Sequence, residues 1–530
     1  MSSDEVRSVK LTRPQTSKSD STAKLQVIEK NSGEKRRSIL EDDEYEKEIV
    51  TDSQRSEPVP QPKATEMAHS LPRDKNRFKK DGSFRSKWGD LTFQPRPSIF
   101  DAEVKFGAKF YGLFVAFWFC VFFGGLNVVL NHHLSYGSLI ESKVIAIMAD
   151  NIVGVAFTDL LMYFMMYIPV LIQLAVKNGK LSWQKSAWII ESVFEVFFLV
   201  FFLVWAEYFQ YSWIGKIFLL LHSLVQLMKI HSYAFYNGYL WSIQNELKFS
   251  RAYLKKHEDT ELTDKVRIPL EKSVEFCEFE LRAQSAEQPF PENITFKNFF
   301  VYSMYPTLVY QIDYPTTTKI RKRYVLTKIA GIFGVIFLMI AISDTYLYPM
   351  VINCLELRET TSIAYRIQIY PKIIIGFIPP FLGVYLLVFY LIWELILNAI
   401  GELSYFADRE FYGYWWNSVD WNAYARDWNI VVHKFLLRHV YHSSISALQL
   451  NKTGATIFTF VLSSVIHELA MFVIFKRLRG YLLMLQMSQL PLVQLSRSKL
   501  MKDREILGNC IFWFGIVFGP SLMCTMYLVF

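Results

Sequence analysis

Near the middle of a long apolar run stands His467, inside Phe458-Thr459-Phe460-Val461-Leu462-Ser463-Ser464-Val465-Ile466-His467-Glu468-Leu469. Ionisable groups in such runs are costly, which makes each of them a functional hypothesis. A neutral imidazole there is a general base whose proton affinity is set by burial and neighbours. Ser463 lies four residues earlier, on the same helix face. A histidine that only hydrogen-bonds a neighbouring helix has the same sequence signature, so spacing alone leaves both readings open. Upstream, Phe411-Tyr412-Gly413-Tyr414-Trp415-Trp416-Asn417 is followed by Trp421, Trp428, Asn429 and His433. Asn429 and His433 are four apart and share one side of a helix. The four tryptophans within fourteen residues suit an interfacial aromatic belt. They equally suit a mouth through which a ligand with an apolar chain and a polar head enters the membrane.

The elements that must position these groups are membrane helices. The chain has 530 residues, 52% of them hydrophobic, 16% aromatic and 20% charged, with a mean hydropathy of +0.18. Its apolar residues are gathered into runs near 108–130, 151–176, 187–208, 212–236, 323–346, 371–400, 430–447, 454–476, 480–496 and 507–529. Runs of about twenty residues match the thickness of a bilayer. This patterning excludes a disordered chain, a collagen-like fibre, a disulfide scaffold and an ordinary water-soluble enzyme. The expected fold class is all-α, a polytopic membrane protein with about nine transmembrane helices. The 430–447 run contains His433, Lys434, Arg438, His439 and His442, which suits a cavity-lining or partly embedded helix better than a lipid-facing one.

Residues 1–100 are a different polymer, rich in Lys, Arg, Asp, Glu, Ser and Pro, and are expected to be a disordered cytosolic tail. Lys35-Arg36-Arg37-Ser38 within it is either a phosphorylation site or a solvated charge cluster. Nothing at the N-terminus resembles a cleavable signal peptide. The five cysteines are scattered and form no CxxC pair, so neither a metal site nor a disulfide framework is expected. The net charge of +8 carries no nucleic-acid signature. Its distribution does inform orientation. Lys177, Lys180 and Lys185 flank one connection and 241–322 is strongly charged, whereas 131–150 and 206–215 are nearly free of Lys and Arg. The positive-inside rule then puts the tail, the 177–186 connection, a large 241–322 loop and the 401–429 loop in the cytosol.

Phe-Tyr-x-x-Trp-Trp-Asn, then Trp-Asn and a histidine, then a buried histidine some forty residues on, resembles the membrane-bound O-acyltransferase superfamily. Within it the chain resembles the sterol O-acyltransferase group, and the fungal sterol acyltransferases most. Supporting stretches are His231-Ser232-Tyr233-Ala234-Phe235-Tyr236-Asn237-Gly238-Tyr239-Leu240, Tyr305-Pro306-Thr307-Leu308-Val309-Tyr310-Gln311, Phe406-Ala407-Asp408-Arg409 and Val432 through Ser443. The similarity covers roughly 85–530 and makes 101–530 a catalytic membrane domain. It implies transfer of a long-chain acyl group from acyl-CoA to the 3-hydroxyl of a membrane sterol, giving steryl esters for lipid droplets. His467 would be the base and Asn429 a hydrogen-bond donor near the developing oxyanion. Phe411, Tyr412, Trp415, Trp416, Asn417, His433, Tyr441, Lys452 and Ser463 match acyl-CoA-binding positions. The resemblance further implies an endoplasmic-reticulum membrane protein that forms a dimer or higher homo-oligomer. No resident cofactor and no metal is expected, because acyl-CoA is a substrate.

Two positions depart from the family pattern. Tyr414 stands where the family heptad Phe-Tyr-x-Asp-Trp-Trp-Asn has Asp, and a phenol in place of a carboxylate loses a charge and two strong acceptor sites. Tyr405 stands where related proteins tend to have Arg. Alternatives are a diacylglycerol acyltransferase, which shares the heptad and the histidine; a non-catalytic paralogue; and a lipid transporter, for which the expected internal repeat is missing. The His69–Asp74 spacing matches soluble glycerolipid acyltransferases but falls in the tail, where no scaffold supports it. The sequons at Asn293 and Asn451 fall on the expected cytosolic side and should be unused.

Overall fold

Residue 77 and residues 83–530 are described by a computed structural model, apart from 90, 104–110, 139–140, 259–261, 286–287, 500 and 502–503. Most of the expected tail, including Lys35–Ser38 and the His69–Asp74 pair, lies outside the described residues. Arg77 and Phe84–Phe530 belong to one compact unit, and the other, Met1–Val59 with Phe78–Ser83, is almost wholly outside the described residues.

The described architecture is helical, with isolated β-bridges at Arg96–Asp408 and Thr316–Phe406. In chain order the principal helices are α1 (Tyr111–Tyr136), α2 (Ile152–Lys177), α3 (Trp183–Tyr208) and α4 (Trp213–Lys256). Then come α5 (Asp264–Gln284), α6 (Phe296–Met304), α7 (Lys322–Thr360) and α8 (Ile363–Leu403). The site region holds α9 (Trp421–Asp427) and α10 (430–446), followed by α11 (Lys452–Phe475). Two short helices, α12 (Tyr481–Met487) and α13 (Gln489–Ser496), precede α14 (Glu505–Val529).

Seven of these helices, α2, α3, α4, α7, α8, α11 and α14, are long and apolar enough to cross a bilayer. The expected count of nine is therefore not reached among the described residues, although α1 matches them in length at 26 residues. Two further apolar runs form no spanning helix among the described residues. The 480–496 run breaks at Ser488 into α12 and α13, each too short to span alone. The 430–446 stretch is short, has a π-helical turn over Leu436–Tyr441, and buries Arg438 and His439. Lipid-facing surface is plain on α3, where Val193, Val196, Phe197, Val200 and Val204 all point outward. Such an apolar face is a liability in water and matches its surroundings in hydrocarbon.

The charged stretch read as a 241–322 loop is largely helical. α4 runs 44 residues without a break, which at 1.5 Å per residue is about 66 Å and twice a hydrocarbon core. Its C-terminal half extends beyond what a hydrocarbon core can hold and packs along α5. The segment from Phe84, counted with the tail by composition, lies on this pair. Phe84 meets Phe276 edge-on at 5.9 Å, Trp88 stacks on Tyr236 at 5.8 Å, and Arg77 forms a bidentate pair with Glu246. Aromatic anchors spaced four apart hold it there, a signal that the polar average of the region hides.

Three of the four stretches that carry the family resemblance, those around Ser232, Tyr310 and Arg438, converge into one buried hub. Ser232 Oγ is 2.8 Å from His439 Nε2 and accepts the Tyr310 N–H at 2.8 Å. Arg438 donates to the carbonyls of Tyr310 and Trp88, each at 3.3 Å. Lys229 Nζ donates to the carbonyls of Tyr302, Ser303 and Tyr305 at 3.1, 3.0 and 2.7 Å, closing the C-terminal end of α6. A donor there satisfies carbonyls that the helix end leaves without partners. These contacts make the stretches a scaffold for α10, which carries part of the candidate site.

Candidate active site

α11 starts with Asn451, whose Oδ1 accepts the Gly454 N–H at 2.7 Å, and ends at Lys476 in the left-handed region (φ 54). Its rotation is fixed by Glu468, buried and not singled out by the sequence. The Glu468 carboxylate accepts from Gly480 N at 2.7 Å, Leu483 N at 3.1 Å and Tyr527 Oη at 2.6 Å, tying α11 to α12 and α14. Glu468 is held inward, and its neighbour His467, expected from the sequence pattern to be buried, faces out of the packing and is exposed, because adjacent helix positions point about 100° apart. His467 Nδ1 lies 2.7 Å from the carbonyl oxygen of Ser463. A carbonyl can only accept, so Nδ1 carries the hydrogen and Nε2 carries the basic lone pair. Ser463 thus serves through its backbone, one turn away on the same face.

The heptad is a loop that ends in a 3₁₀ turn over Trp415–Asn417. Tyr412 is buried and its hydroxyl donates to Glu394 at 2.7 Å. The Gly413 N–H donates to the Asp427 carbonyl at 2.7 Å, and a Cβ at Gly413 would stand 2.9 Å from Asp427 Cγ, so any larger residue would displace the Asp427 side chain. Trp415 is 3% exposed, with Phe389, Trp428, Trp416 and Trp513 rings at 4.7–5.9 Å from its own. The Trp416 carbonyl accepts from Asn509 Nδ2 and Trp513 Nε1, each at 3.1 Å. α14 approaches so closely that a Cβ at Gly508 would sit 2.5 Å from the Val419 carbonyl and one at Gly515 2.3 Å from the Trp421 ring. The aromatic residues here are mainly packing. Tyr414 and Asn417 are the exposed members of the heptad, Tyr414 lying edge-on to Trp416 at 5.8 Å.

Asn429 is the N-cap of α10, its Oδ1 accepting the Val432 N–H at 3.0 Å. That bond commits the oxygen and turns the two Nδ2 hydrogens away from the helix, where they are available as donors. The Ile430 N–H donates to the Phe411 carbonyl at 3.0 Å, so the start of the heptad is stitched directly to this cap. His433 follows one turn on. Burial, reinforced by the positive charges of Arg426 and Lys434, pulls its pKa down to about 4. Asp408, in the loop before the heptad, pairs with Arg96 at 3.0 Å and is 3.8 Å from Lys434.

The site residues therefore lie on two packed units. Phe411, Tyr412, Trp415, Trp416, Asn417, Asn429 and His433 belong to the loop and the head of α10. Lys452, Ser463 and His467 belong to α11. The π-helical turn that ends at Tyr441 packs against α11 and joins them. No hydrogen bond links His467 to Asn429 among the described residues. Sequence reasoning also missed Glu394, Ser98 and Asp427; the signal available for Glu394 was a carboxylate inside an apolar run. Tyr405 has a left-handed backbone (φ 63) and ends α8, with Phe406 N donating to Gly401 O and Tyr405 N to Glu402 O. Its side chain is exposed, so a residue other than the usual Arg costs no packing. The sequon at Asn293 has no room for a glycan: Asn293 is fully buried and donates to Asn237 Oδ1 and Tyr310 Oη.

The family model for membrane-bound O-acyltransferases (MBOAT) matches residues 151–529. The chain belongs to this family. It is a multi-pass membrane acyltransferase. It is 50% identical over 430 residues to "Sterol O-acyltransferase 2" of Saccharomyces cerevisiae, covering 80% of this chain and 67% of that protein. To "Sterol O-acyltransferase 2" of Candida albicans it is 45% identical over 494 residues, covering 85% and 81%. Similarity to "Diacylglycerol O-acyltransferase 1" of Dictyostelium discoideum is 34% over 238 residues, covering 45% of this chain and 37% of that protein.

Proposed function

We propose that the protein transfers a long-chain acyl group from acyl-CoA to the 3-hydroxyl of a membrane sterol. The observation that carries the chemistry is the fixed tautomer of His467, whose Nε2 is left as the base by the Nδ1 bond to Ser463 O. The sterol assignment is supported by extended similarity to proteins named for that activity, against a diacylglycerol relative that aligns over less than half of the chain.

In this reading, Nε2 of His467 takes the proton of the sterol hydroxyl as its oxygen attacks the thioester carbonyl. The Asn429 Nδ2 group, held by the capping bond, donates to the oxyanion that develops. As the tetrahedral adduct collapses, the C–S bond breaks and the imidazolium gives its proton to the departing CoA sulfur. The thioester is already activated, so neither an acyl-enzyme nor a resident cofactor is required. Phe411, Tyr412, Trp415, Trp416, Asn417, His433, Tyr441, Lys452 and Ser463 would form or support the acyl-CoA site, reached from the cytosol through the 401–429 loop. The membrane would be that of the endoplasmic reticulum, the esters would be stored in lipid droplets, and the chain would act as a homo-oligomer.

The test is to express the full chain in cells that make no steryl ester and to supply their membranes with labelled oleoyl-CoA. The expected product is labelled steryl ester that rises with added sterol. Labelled triacylglycerol that rises with added diacylglycerol, with no steryl ester, would overturn the sterol assignment.

A further inference from the structure

Glu394 sits in the apolar stretch of α8, in a π-helical turn over Tyr390–Ile396, and is 1% exposed. A carboxylate in such a place is tolerated only when its oxygens are satisfied, and here each oxygen has its own partners. Oε1 accepts from Lys328 Nζ of α7 at 2.5 Å. Oε2 accepts from the hydroxyls of Tyr412, at 2.7 Å, and Ser98, whose own oxygens lie 3.3 Å apart. Three segments distant in sequence thus meet on one side chain: the strand-like stretch before α1, α7, and the heptad loop. The irregular turn is itself informative, because π-helical turns inside long helices frequently occur at functional sites.

A plain charge-neutralising role is the alternative, with Glu394 present only to pair Lys328. The geometry argues otherwise. Lys328 has a second carboxylate, Asp101, at 3.7 Å, whereas the buried hydroxyl of Tyr412 has its anionic acceptor in Glu394. The residue after Tyr412 is Gly413, clamped by its N–H to Asp427 O. The loop is therefore fixed at adjacent points, one by side chain and one by backbone.

We infer that Glu394 is a positioning residue: through the Tyr412 hydroxyl it holds the Phe411–Asn417 loop in the shape that receives the acyl donor. The inference rests on the acyl-CoA reading of that loop given above. Glu394 touches no reacting group and acts only through Tyr412.

The test uses the full-length protein with Glu394→Gln and Tyr412→Phe, singly and combined. Each single change is expected to raise the KM for oleoyl-CoA about tenfold, the scale of losing a hydrogen bond to a charged group. The values of kcat and of the sterol KM should stay within about twofold. Both changes remove the same bond, so the double variant should be no worse than the worse single one. Amide hydrogen exchange supplies a readout that needs no substrate: peptides covering 411–417 should exchange faster in both variants, with 452–475 unchanged. Wild-type KM and wild-type loop exchange in Tyr412→Phe, which removes one oxygen and keeps the ring, would overturn the inference even if Glu394→Gln failed to accumulate. So would a fully additive double variant. Were the wild type to make no steryl ester, the proposed function would fail, and loop exchange alone would decide the inference.

Discussion

The imidazole of His467 is tied to its own helix, with Nδ1 2.7 Å from the carbonyl oxygen of Ser463. A base that must accept a proton in one direction gains from a bond that forbids the other tautomer. The same bond restrains the ring, so Nε2 is left on the exposed side of α11 while the neighbouring Glu468 is held in the packing.

Because His467 is exposed and, among the described residues, hydrogen-bonds only the backbone carbonyl of Ser463, replacing it should not disturb folding. His467→Ala is expected to accumulate normally and to lose roughly 10²–10⁴-fold in rate, the usual worth of general-base catalysis. Quantitative immunoblotting beside the ester assay separates this from simple instability.

Asn429 combines two roles that substitution can divide. Asn429→Asp keeps the capping oxygen for Val432 N but has no amide hydrogens, so stability should hold while the rate falls on the order of 10²-fold. Asn429→Ala should lose the rate and also about 1 kcal/mol of stability from the missing cap. Thermal inactivation of the detergent-solubilised variants, measured with activity, distinguishes them. Equal rate and stability for Asn429→Asp and wild type would leave Asn429 a cap and nothing more.

Tyr414 is 46% exposed, so returning the carboxylate that the family heptad carries should cost no burial. Tyr414→Asp is expected to lower the apparent acyl-CoA constant with little change in sterol preference, since charge-assisted hydrogen bonds are roughly twice as strong as neutral ones. Steady-state kinetics check this. Identical constants would show the position to be tolerant.

His433 supplies a pH dependence. Its folded pKa, about 4, is below the roughly 6.5 of a free imidazole, so the unfolded chain binds more protons between those values. Stability should therefore rise with pH across that window and be lost as pH falls through it. Thermal inactivation at pH 7.5 and pH 5.0 should show the loss, and His433→Gln, which has no titrating group, should lose less.

Orientation is open to direct measurement. A cysteine at the exposed position 405, next to the heptad loop, should react with an impermeant maleimide in sealed microsomes from the cytosolic side. Reaction only after permeabilisation would reverse the topology and remove the route proposed for acyl-CoA.

The sequence made the helical class and most of the spans legible because apolar runs of about twenty residues follow directly from bilayer thickness. It did not reveal that α4 runs past residue 241, since a helix leaving the membrane changes composition without changing conformation. Nor did it show that the 480–496 run breaks at Ser488, because apolarity alone does not encode helix length. In the site, His467, Asn429 and the heptad were visible as residue types at fixed spacing. Glu394 and Glu468 act through partners that are distant in sequence, Tyr412 and Tyr527, and pairing of that kind has no local pattern. The Trp415 side chain reads as a ligand contact or a membrane belt from sequence, and only the convergence of α8, Trp428 and α14 around it makes it core.

The central claim is that one fixed imidazole takes the proton of a sterol hydroxyl. It is tested most directly by presenting purified wild type and His467→Ala with oleoyl-CoA and sterol, and measuring the single-turnover rate of steryl ester formation after confirming equal acyl-CoA binding. Rapid ester formation by the wild type, and a variant that binds acyl-CoA equally but forms ester at least about 10²-fold more slowly, is the predicted result. Comparable rates for the two proteins would contradict it.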